Sequence, residues 1–276
     1  MSSSDQDAKS LLLGQHTEYP SQYAPQLLFP IAREESRRVL GIDAAALPFR
    51  GVDVWTGYEV SWLNPKGKPQ VAVVEFAFPA DSPYMVESKS FKLYLNSLNQ
   101  ARLADTDELL ATLMADLGAA AGAAVQARLL GIADAAVAEC PGLCLDDEDV
   151  TIEAYEPQPQ LLSLVAGEAL VTETLYSELL KTNCPVTGQP DWATISVSYS
   201  GPRIDRAALL SYIISFRNHQ DFHEHCVERM FTDILQRCRP QSLTVFARYT
   251  RRGGLDINPC RTTEAEWPQM PRLLRQ

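Results

Sequence analysis

The sequence predicts an α+β fold of two modules, because one order of elements occurs twice along its 276 residues. Each half begins with two segments rich in β-branched and aromatic residues joined by a short turn, which is typical of an antiparallel hairpin. Two segments with apolar residues at helical spacing follow, and a further strand closes each half. An antiparallel sheet with helices on one face is an α+β arrangement. We therefore predict a structural duplication, although no sequence identity between the halves is evident.

The first half shows this order around its hairpin and its second helix. A turn at Asn64-Pro65-Lys66-Gly67 joins two strands, because proline and glycine favour tight turns. Asp105 and Glu108 have the spacing of a capping box at the start of a helix. In chain order we predict strands at 52–62 and 70–79, helices from Ser90 and from Asp105, and a strand at 150–152.

The second half repeats the order and sets the module boundaries. We predict strands at 174–180 and 192–200, helices at 205–216 and 222–238, and a strand at 243–249. Residues 1–50 are predicted to be irregular, because prolines interrupt them repeatedly. The predicted modules cover 51–156 and 161–276, and the stretch 157–160, rich in proline and glutamine, is the predicted linker.

Composition and charge narrow the classes of partner. The chain has 24 basic and 35 acidic residues, which gives a net charge of −11. A surface that binds nucleic-acid phosphates needs an excess of lysine and arginine, so we expect no nucleic-acid partner. No apolar stretch approaches the roughly 20 residues of a membrane span and no secretion signal is evident, so we expect a cytoplasmic protein without a membrane partner. Its six cysteines are therefore predicted to be thiols rather than disulfides.

Cys184 lies in a predicted loop between two strands, and catalytic groups are often found in such loops. A free thiol is mostly protonated at neutral pH, so a nucleophilic cysteine needs an activating neighbour. Lys181, Asp191 and the histidines further along the chain are candidates for that role. The alternative interpretation is a structural thiol in a turn, and the local sequence alone favours it.

The segment Phe222-His223-Glu224-His225-Cys226 also has more than one interpretation. In the structural one, Asp221 caps the following helix, Glu224 completes a capping box, and His223 is a satisfied core histidine. A metal site is the other interpretation, but two histidines separated by one residue do not lie on one face of a helix. The cysteines in 140–144 also lack the spacing of zinc deaminases. We therefore predict no metal.

Two further segments are candidate anion sites. Glu87-Ser88-Lys89-Ser90-Phe91-Lys92-Leu93-Tyr94 leads into a helix, and a helix N-terminus with added lysines binds anions well; ordinary capping with solvated lysines is the alternative. The segment 248–256 places arginines beside Gly253 and Gly254, which suggests a phosphate site; a hairpin end with surface arginines is the alternative. No G-x-G-x-x-G motif follows a strand, so a Rossmann cofactor site is not indicated.

Taken together, these segments resemble the NADPH-dependent 7-cyano-7-deazaguanine reductases of queuosine biosynthesis. Residues 87–94 match that family's signature E-[S/L]-K-[S/A]-hydrophobic-K-[L/Y]-[Y/F/W] at every position. Asn183-Cys184, Gln189-Pro190-Asp191-Trp192, Phe222-His223-Glu224 and residues 251–258 extend the resemblance over nearly the whole chain. The signature precedes the cysteine, in the other half of the chain, which is similar to the long, two-module branch of that family.

The resemblance implies a fold, a reaction and a set of site residues. The implied fold is two tandem tunnelling-fold modules of ββααβ type, in a homodimer. The implied reaction is the reduction of the nitrile of 7-cyano-7-deazaguanine to an aminomethyl group, with NADPH as cofactor and a covalent thioimide as intermediate. The resemblance assigns the thioimide to Cys184 and the proton donor to Asp191; substrate contacts to Glu87, Ser88, Lys89, His223 and Glu224; and NADPH contacts to Lys89, Ser90, Arg252 and Gly253.

Two other functions share parts of this pattern. A cyclohydrolase- or synthase-like enzyme of the same fold would act on a pterin and use a metal, but we find no metal ligands at a suitable spacing in the sequence. A non-catalytic module that only binds or assembles would have no use for Cys184 together with Asp191. Metal analysis would distinguish the metal-dependent enzyme from a nitrile reductase. NADPH oxidation that depends on the cyano base would distinguish a nitrile reductase from both alternatives.

Overall fold

The computed structural model describes residues 20, 22–167, 170–268 and 271–276. The described residues form two compact units that alternate along the chain. Unit 1 contains the chain up to Glu35, then Val54–Ala135 and Arg251–Asp256, and unit 2 contains Ser36–Asp53, Ala136–Thr250 and Ile257–Gln276. The sequence predicts two consecutive modules instead, and those module boundaries stay a prediction.

Unit 1 combines a small antiparallel sheet with two longer helices. Its strands are β1 (Pro30–Ala32), β2 (Arg50–Leu63, from Val54 onward), β3 (Pro69–Pro79), β4 (Tyr84–Val86) and β5 (Gln126–Leu129). Its helices are the start of α1 (Glu34–Val39), α2 (Ser88–Ser97) and α3 (Thr106–Ala121), with 3-10 turns at Pro25–Leu27 and Ile132–Ala135. β1 pairs with β4, and the strand order is β5-β3-β2.

Most elements predicted for this unit are confirmed. The turn is closed by a hydrogen bond from Gly67 N to Asn64 O of 2.8 Å, and Gly67 has the positive φ that favours glycine. Asp105 caps α3 by accepting from Glu108 N, but the Glu108 side chain accepts from Ala104 N, one residue earlier than a capping box requires. The strand predicted at 150–152 is wrong, and β5 closes the unit instead. The segment predicted to be irregular contains β1 and α1 within its described part.

Unit 2 repeats the order of hairpin, two helices and strand. Its strands are β6 (Leu143–Cys144), β7 (Leu170–Asn183), β8 (Pro190–Pro202), β9 (Ser242–Tyr249) and β10 (Leu255–Thr262, from Ile257 onward). Its helices are α4 (Arg206–Ser215) and α5 (His223–Cys238), with 3-10 turns at Pro159–Leu161 and Phe216–Asn218. The order β10-β9-β8-β7-β6 is antiparallel except for β6 with β7. The predicted strands and helices are confirmed, and β10 was missed.

The two units also share a short sequence repeat that the sequence analysis overlooked. Pro-Gln-Leu-Leu occurs at 25–28 and again at 159–162, and each copy forms a 3-10 turn. The predicted linker at 157–160 therefore includes the first residues of the second copy. A repeated sequence that adopts the same local structure before the same order of elements supports the predicted duplication.

Each unit has its own apolar core. In unit 1, Trp55, Phe76, Phe78 and Phe91 are almost fully buried and their rings pack at centroid distances of 5.1–6.2 Å. Each fully buried side chain of this kind stabilises the fold by roughly 1.5–3 kcal/mol. In unit 2, every residue of β9 after Ser242 is buried. Among the described residues, no helix has the length and apolar character needed to cross a membrane.

Candidate active site

Cys184 follows the last residue of β7 and begins the turn into β8. Its backbone N–H donates to Gln189 O at 2.9 Å, and Gly188 N donates back to Cys184 O at 3.0 Å, so the turn is held at both ends. Gly188 has φ +68°, which favours glycine. The Cys184 side chain is buried, with an exposed fraction of 6%. The thiol thus lies in a fixed turn beneath the surface.

Asp191 lies on the same face of the hairpin as Cys184. It is the second residue of β8 and pairs directly with Thr182. Directly paired residues point to one face of a sheet, and so do residues two apart on one strand. Because the Cys184–Gln189 hydrogen bond continues the pairing, Cys184 and Asp191 are diagonal neighbours, whose usual spacing is about 7–8 Å. Asp191 is also buried.

His223 reaches Asp191 from the start of α5. Its Nε2 lies 3.3 Å from Asp191 Oδ2. Its ring stacks on Tyr249 with a centroid distance of 3.6 Å and an interplanar angle of 4°. Burial, and after it the charges of Cys226 and Asp191, raise the pKa of Tyr249 well above its usual value, so the phenol stays neutral. The stack fixes the plane of the imidazole, and Tyr249 is a residue that the sequence analysis missed because strand ends carry no motif.

Glu224 is the second residue of α5 and is buried. One turn further along α5, Glu228 accepts from Arg37 Nη2 at 2.7 Å and from Arg261 Nη2 at 2.9 Å. Arg261 also donates to Asp53 at 2.7 Å, and all four side chains of this ion network are buried. Removing one partner of a buried ion pair strongly destabilises a protein, because it leaves a buried charge uncompensated. The network therefore fixes the first turns of α5. The sequence shows that Glu228 lies one helical turn after Glu224, but it does not show the ion network, whose other members are distant in the chain.

The predicted helix cap at Asp221 is wrong. The N-cap of α5 is Phe222, and no side chain bonds there. Asp221 Oδ1 instead accepts from Phe222 N at 2.8 Å and pairs with His225 Nδ1 at 3.0 Å. The reason is that a capping side chain reaches the N–H two or three residues ahead. With the histidine one turn ahead, the Asp221 carboxylate turns to the imidazole.

Lys181, one candidate activator of Cys184, is engaged elsewhere. Its Nζ donates to Asn183 Oδ1 at 2.8 Å and to Arg217 O at 2.7 Å. Burial, and then the nearby Arg217 charge, lower the pKa of Lys181. Lys181 therefore supports the residue next to Cys184 rather than pointing its ammonium at the thiol.

In unit 1, Glu87 and Ser90 are built into the start of α2. Glu87 caps the helix by accepting from Lys89 N at 2.9 Å and from Ser90 N at 2.6 Å. The Ser90 hydroxyl donates to Glu87 O and accepts from Phe29 N, and the Ser90 side chain is fully buried. These positions support structural roles for both residues. Ser88 and Lys89 are half-buried at the same helix start.

Arg252 and Gly253 lie in the tight turn that precedes β10. Arg252 N donates to Leu255 O at 2.9 Å, and Gly253 and Gly254 have φ of +56° and +81°. Two consecutive positive φ values require glycine in a two-residue turn. A side chain at Gly253 would meet Lys92 Nζ at 3.1 Å, so Lys92 of α2 lies against this turn. Lys92 and the side chain of Glu59, which lies against Gly254, thus both face this turn in unit 1.

The predicted site residues therefore fall into two groups. Unit 2 contains Cys184, Asp191, His223 and Glu224, of which Asp191 and His223 are in direct contact, and unit 1 contains Glu87, Ser88, Lys89, Ser90, Arg252 and Gly253. Across the described ranges, no group of three or more His, Cys, Asp or Glu side chains is arranged to hold a metal ion.

Comparisons with known proteins identify the class and the family of this chain. A family model described as "Nitrile reductase, 7-cyano-7-deazaguanine-reductase N-term" matches residues 19–129, and one described as "QueF-like protein" matches residues 190–267. The chain is thus a nitrile reductase, which is an oxidoreductase, and its relatives carry NADPH in their names. It belongs to the family of NADPH-dependent 7-cyano-7-deazaguanine reductases.

Curated relatives of that name match nearly end to end. The protein of Azoarcus sp. (strain BH72) is 58% identical over 94% of this chain and 92% of its own length. That of Chromohalobacter salexigens is 55% identical over the full length of both. That of Bordetella pertussis is 57% identical over 96% of this chain and 97% of its own. A solved archaeosine synthase QueF-Like overlaps 37% of this chain and 99% of its own at 16% identity and a TM-score of 0.31, too low to inform the fold.

Proposed function

We propose that this protein reduces the nitrile of 7-cyano-7-deazaguanine to an aminomethyl group through a thioimide on Cys184, as a step of queuosine tRNA modification. The observation that supports this most is the buried hairpin face that Cys184 shares with Asp191, which lies 3.3 Å from His223. It occurs in a chain 58% identical to a relative named for that substrate. The first step of nitrile reduction needs only a nucleophilic thiol and a proton donor.

In the first step the Cys184 thiolate adds to the nitrile carbon. One C–S bond forms, one C≡N π bond breaks, and its electron pair moves to nitrogen. Asp191 gives that nitrogen a proton, which leaves a neutral thioimide. His223 Nε2, next to Asp191 Oδ2, is placed to return a proton to the carboxylate or to orient the base. The step needs no redox partner.

Each NADPH carries one hydride, so two molecules bound in turn would supply one hydride to the thioimide and one to the imine left when Cys184 departs. The phosphates of NADPH would fit at the turn in unit 1, because Lys92 lies against the exposed Gly253 and Arg252 precedes it. We assign cofactor contacts to Lys89, Ser90, Arg252 and Gly253. Ser90 is buried, so its contact would need the helix start to move.

Glu224 is the proposed anchor for the heterocycle. The base presents adjacent N–H donors on a guanine-like edge, and an ionised carboxylate offers two acceptor oxygens to match them. We propose that Glu87, Ser88, Lys89 and His223 add further contacts to the substrate.

We further propose the assembly and setting in which this reaction takes place. The repeated order of elements in the two units supports tandem tunnelling-fold modules. The signature segment and the cysteine lie in different units, and we propose that a homodimer of such chains carries both groups of site residues. The protein is proposed to act in the cytoplasm on the free base, without direct contact with nucleic acid.

Intact-mass measurement of the thioimide tests the proposal. Substrate added without NADPH should raise the mass of the protein by that of one substrate molecule. Cys184→Ala should show neither this adduct nor turnover. Cys144→Ala removes a half-buried thiol of the same unit and should keep both. An adduct that persists in Cys184→Ala would refute the assignment.

A further inference from the structure

A cluster of titratable side chains lies beside the proposed site in unit 2 and has no part in the chemistry above. Asp221 is at its centre, with His225 Nδ1 at 3.0 Å from Oδ1 and His219 Nε2 at 3.5 Å from Oδ2. His225 Nε2 is in turn 2.8 Å from Ser36 Oγ. The carboxylate therefore lies between a histidine that precedes it and one in the first turn of α5.

The backbone of this segment is joined to the residue next to Cys184. Asn183 N donates to His219 O at 2.8 Å, and Asp221 N donates to Asn183 O at 3.1 Å. These two hydrogen bonds place Asn183 opposite Gln220 in a parallel bridge. Lys181 adds a third tie by donating to Asn183 Oδ1 and to Arg217 O. The strand end before Cys184 is thus attached to the chain that leads into α5.

The charges of the cluster strengthen this arrangement. Burial alone would raise the pKa of Asp221, but the interactions with His219 and His225 outweigh it and lower that pKa. Burial alone would lower the pKa of His225, but Asp221, and after it the charges of Glu228 and Glu224, raise that pKa. The pair is therefore an ionised carboxylate with an imidazole that favours its protonated form.

We propose that Asp221 is a positioning residue that sets the distance and angle between the Cys184 turn and the start of α5. The backbone of Asp221 is bonded to Asn183, next to the Cys184 turn, and its side chain is bonded to Phe222 N and His225 at the start of α5. His223 and Glu224 lie between Phe222 and His225, so the same carboxylate fixes both. This inference rests on the proposed roles of Cys184, His223 and Glu224.

Such a residue acts on the rate of bond formation rather than on affinity. Attack on a nitrile requires the sulfur and carbon to approach with the right orientation, and a misplacement of about 1 Å costs roughly 100-fold in rate. A small shift of α5 relative to the Cys184 turn would carry Glu224 and the bound base together, so it would change the approach of sulfur to carbon more than the contact between Glu224 and the base. Loss of Asp221 should therefore slow thioimide formation much more than it weakens binding.

The test measures adduct formation by rapid mixing and intact mass in the full chain without NADPH, with substrate affinity measured by calorimetry. Asp221→Ala should slow the adduct rate by about 10- to 100-fold and change the dissociation constant by less than about threefold. Asp221→Asn keeps an oxygen that can accept from Phe222 N and should recover part of the rate. Asp149→Ala, an exposed acid of the same unit, should match the wild type.

The outcomes separate this inference from the proposed function. If the wild type forms no adduct, the proposed function fails and the inference with it. If the wild type forms the adduct and Asp221→Ala forms it at the same rate, only the inference fails. A slow rate accompanied by an equal loss of affinity, or by no recovery in Asp221→Asn, would also overturn it, because a general structural defect predicts both.

Discussion

The two helix pairs of this chain, α2 with α3 and α4 with α5, share a set of internal hydrogen bonds but differ in the proposed site residues that they hold. In each pair an acid caps the first helix, a tyrosine follows seven residues later, and a serine follows three residues after that. The serine donates to the tyrosine carbonyl at 2.6 Å in both, Ser97 to Tyr94 and Ser215 to Tyr212. The same few contacts therefore stabilise the helix pair in each unit.

The tyrosine hydroxyl connects the two helices in each pair. Tyr94 donates to Asp116 at 2.5 Å, and Tyr212 donates to Asp233 at 2.6 Å. These aspartates give a common reference point on the second helices. Counting nine residues back from each of them aligns Asp107 with Glu224.

The differences lie at the helix starts and at the hairpin turns. Ser88-Lys89-Ser90 at the start of α2 corresponds to Arg206-Ala207-Ala208 at the start of α4. Asn64 begins the turn in unit 1, and Cys184 begins the turn in unit 2. Neither unit therefore holds the full set of proposed site residues. The packing contacts therefore define the module, while residues at a few helix starts and turns decide which part of the proposed reaction it serves.

The largest effect that would test this division concerns Glu224 and its counterpart Asp107. Glu224→Gln replaces one acceptor oxygen with a donor, so substrate binding should weaken by roughly 2–5 kcal/mol, the range for breaking a buried charged pair. Asp107→Asn makes the same change at an exposed position of α3 and should leave affinity unchanged. Calorimetric titration with 7-cyano-7-deazaguanine measures both. Equal effects in the two variants would place the base elsewhere.

A smaller effect should distinguish the two tyrosine ties. Asp116 accepts from Tyr23 as well as from Tyr94, whereas only Tyr212 is seen to donate to Asp233 within the described part of the chain. Tyr212→Phe should therefore lower the free energy of unfolding by about 1.5–3 kcal/mol, as for hydrogen bonds to charged groups. Tyr94→Phe leaves one donor in place and should cost about 0.5–1.5 kcal/mol.

Urea unfolding of both variants measures this difference. Turnover at low temperature, where both variants are folded, serves as the control and should stay close to that of the wild type. A larger loss in Tyr94→Phe than in Tyr212→Phe would show that the second tyrosine on Asp116 adds nothing to stability.

Much of the scaffold could be read from the sequence, and the reasons are local. The hairpin strands β2, β3, β7 and β8 were recognised because β-branched and aromatic residues are continuous there, and the four long helices because their apolar spacing is regular. The strand predicted at 150–152 failed because three apolar and β-branched residues have no pairing partner there. β10 was missed because its Asn-Pro-Cys-Arg stretch has no strand pattern, and it is held by pairing with β9.

The sequence predicted the residues of the candidate site but not the contacts that hold them in place. Cys184, Asp191, His223 and Glu224 came from a resemblance in the sequence, and their roles stay predictions. The stack of His223 on Tyr249 and the contact of Asp221 with His225 depend on which segments meet in three dimensions. The spacing of Asp221 one turn before His225 is visible in the sequence and could have predicted their contact, but the capping rules favoured Asp221 as a helix cap instead.

The smallest effect concerns pH, and it compares the ties at the starts of α3 and α5. In unit 1 the tie is Glu108 to Ala104 N, and at the same place in unit 2 it is His225 to Asp221. Because the pKa of folded His225 is raised, its contribution is fully present below about pH 6.5, the usual unfolded value, and is lost as pH rises through the folded pKa. Because the pKa of Asp221 is lowered, its contribution requires a pH above about 4.

Asp221→Asn should therefore lose most stability relative to the wild type between about pH 4 and 6.5, and the gap should narrow toward pH 9. The gap should be at most about 1 kcal/mol, because the Asp221 side chain is 26% exposed and solvent screens its charge. Glu108→Gln changes a tie that contains no histidine, so its gap should stay the same between pH 6 and 9. Thermal unfolding across this pH range would distinguish the two ties, and a constant gap in Asp221→Asn would mean that His225 does not carry the charge.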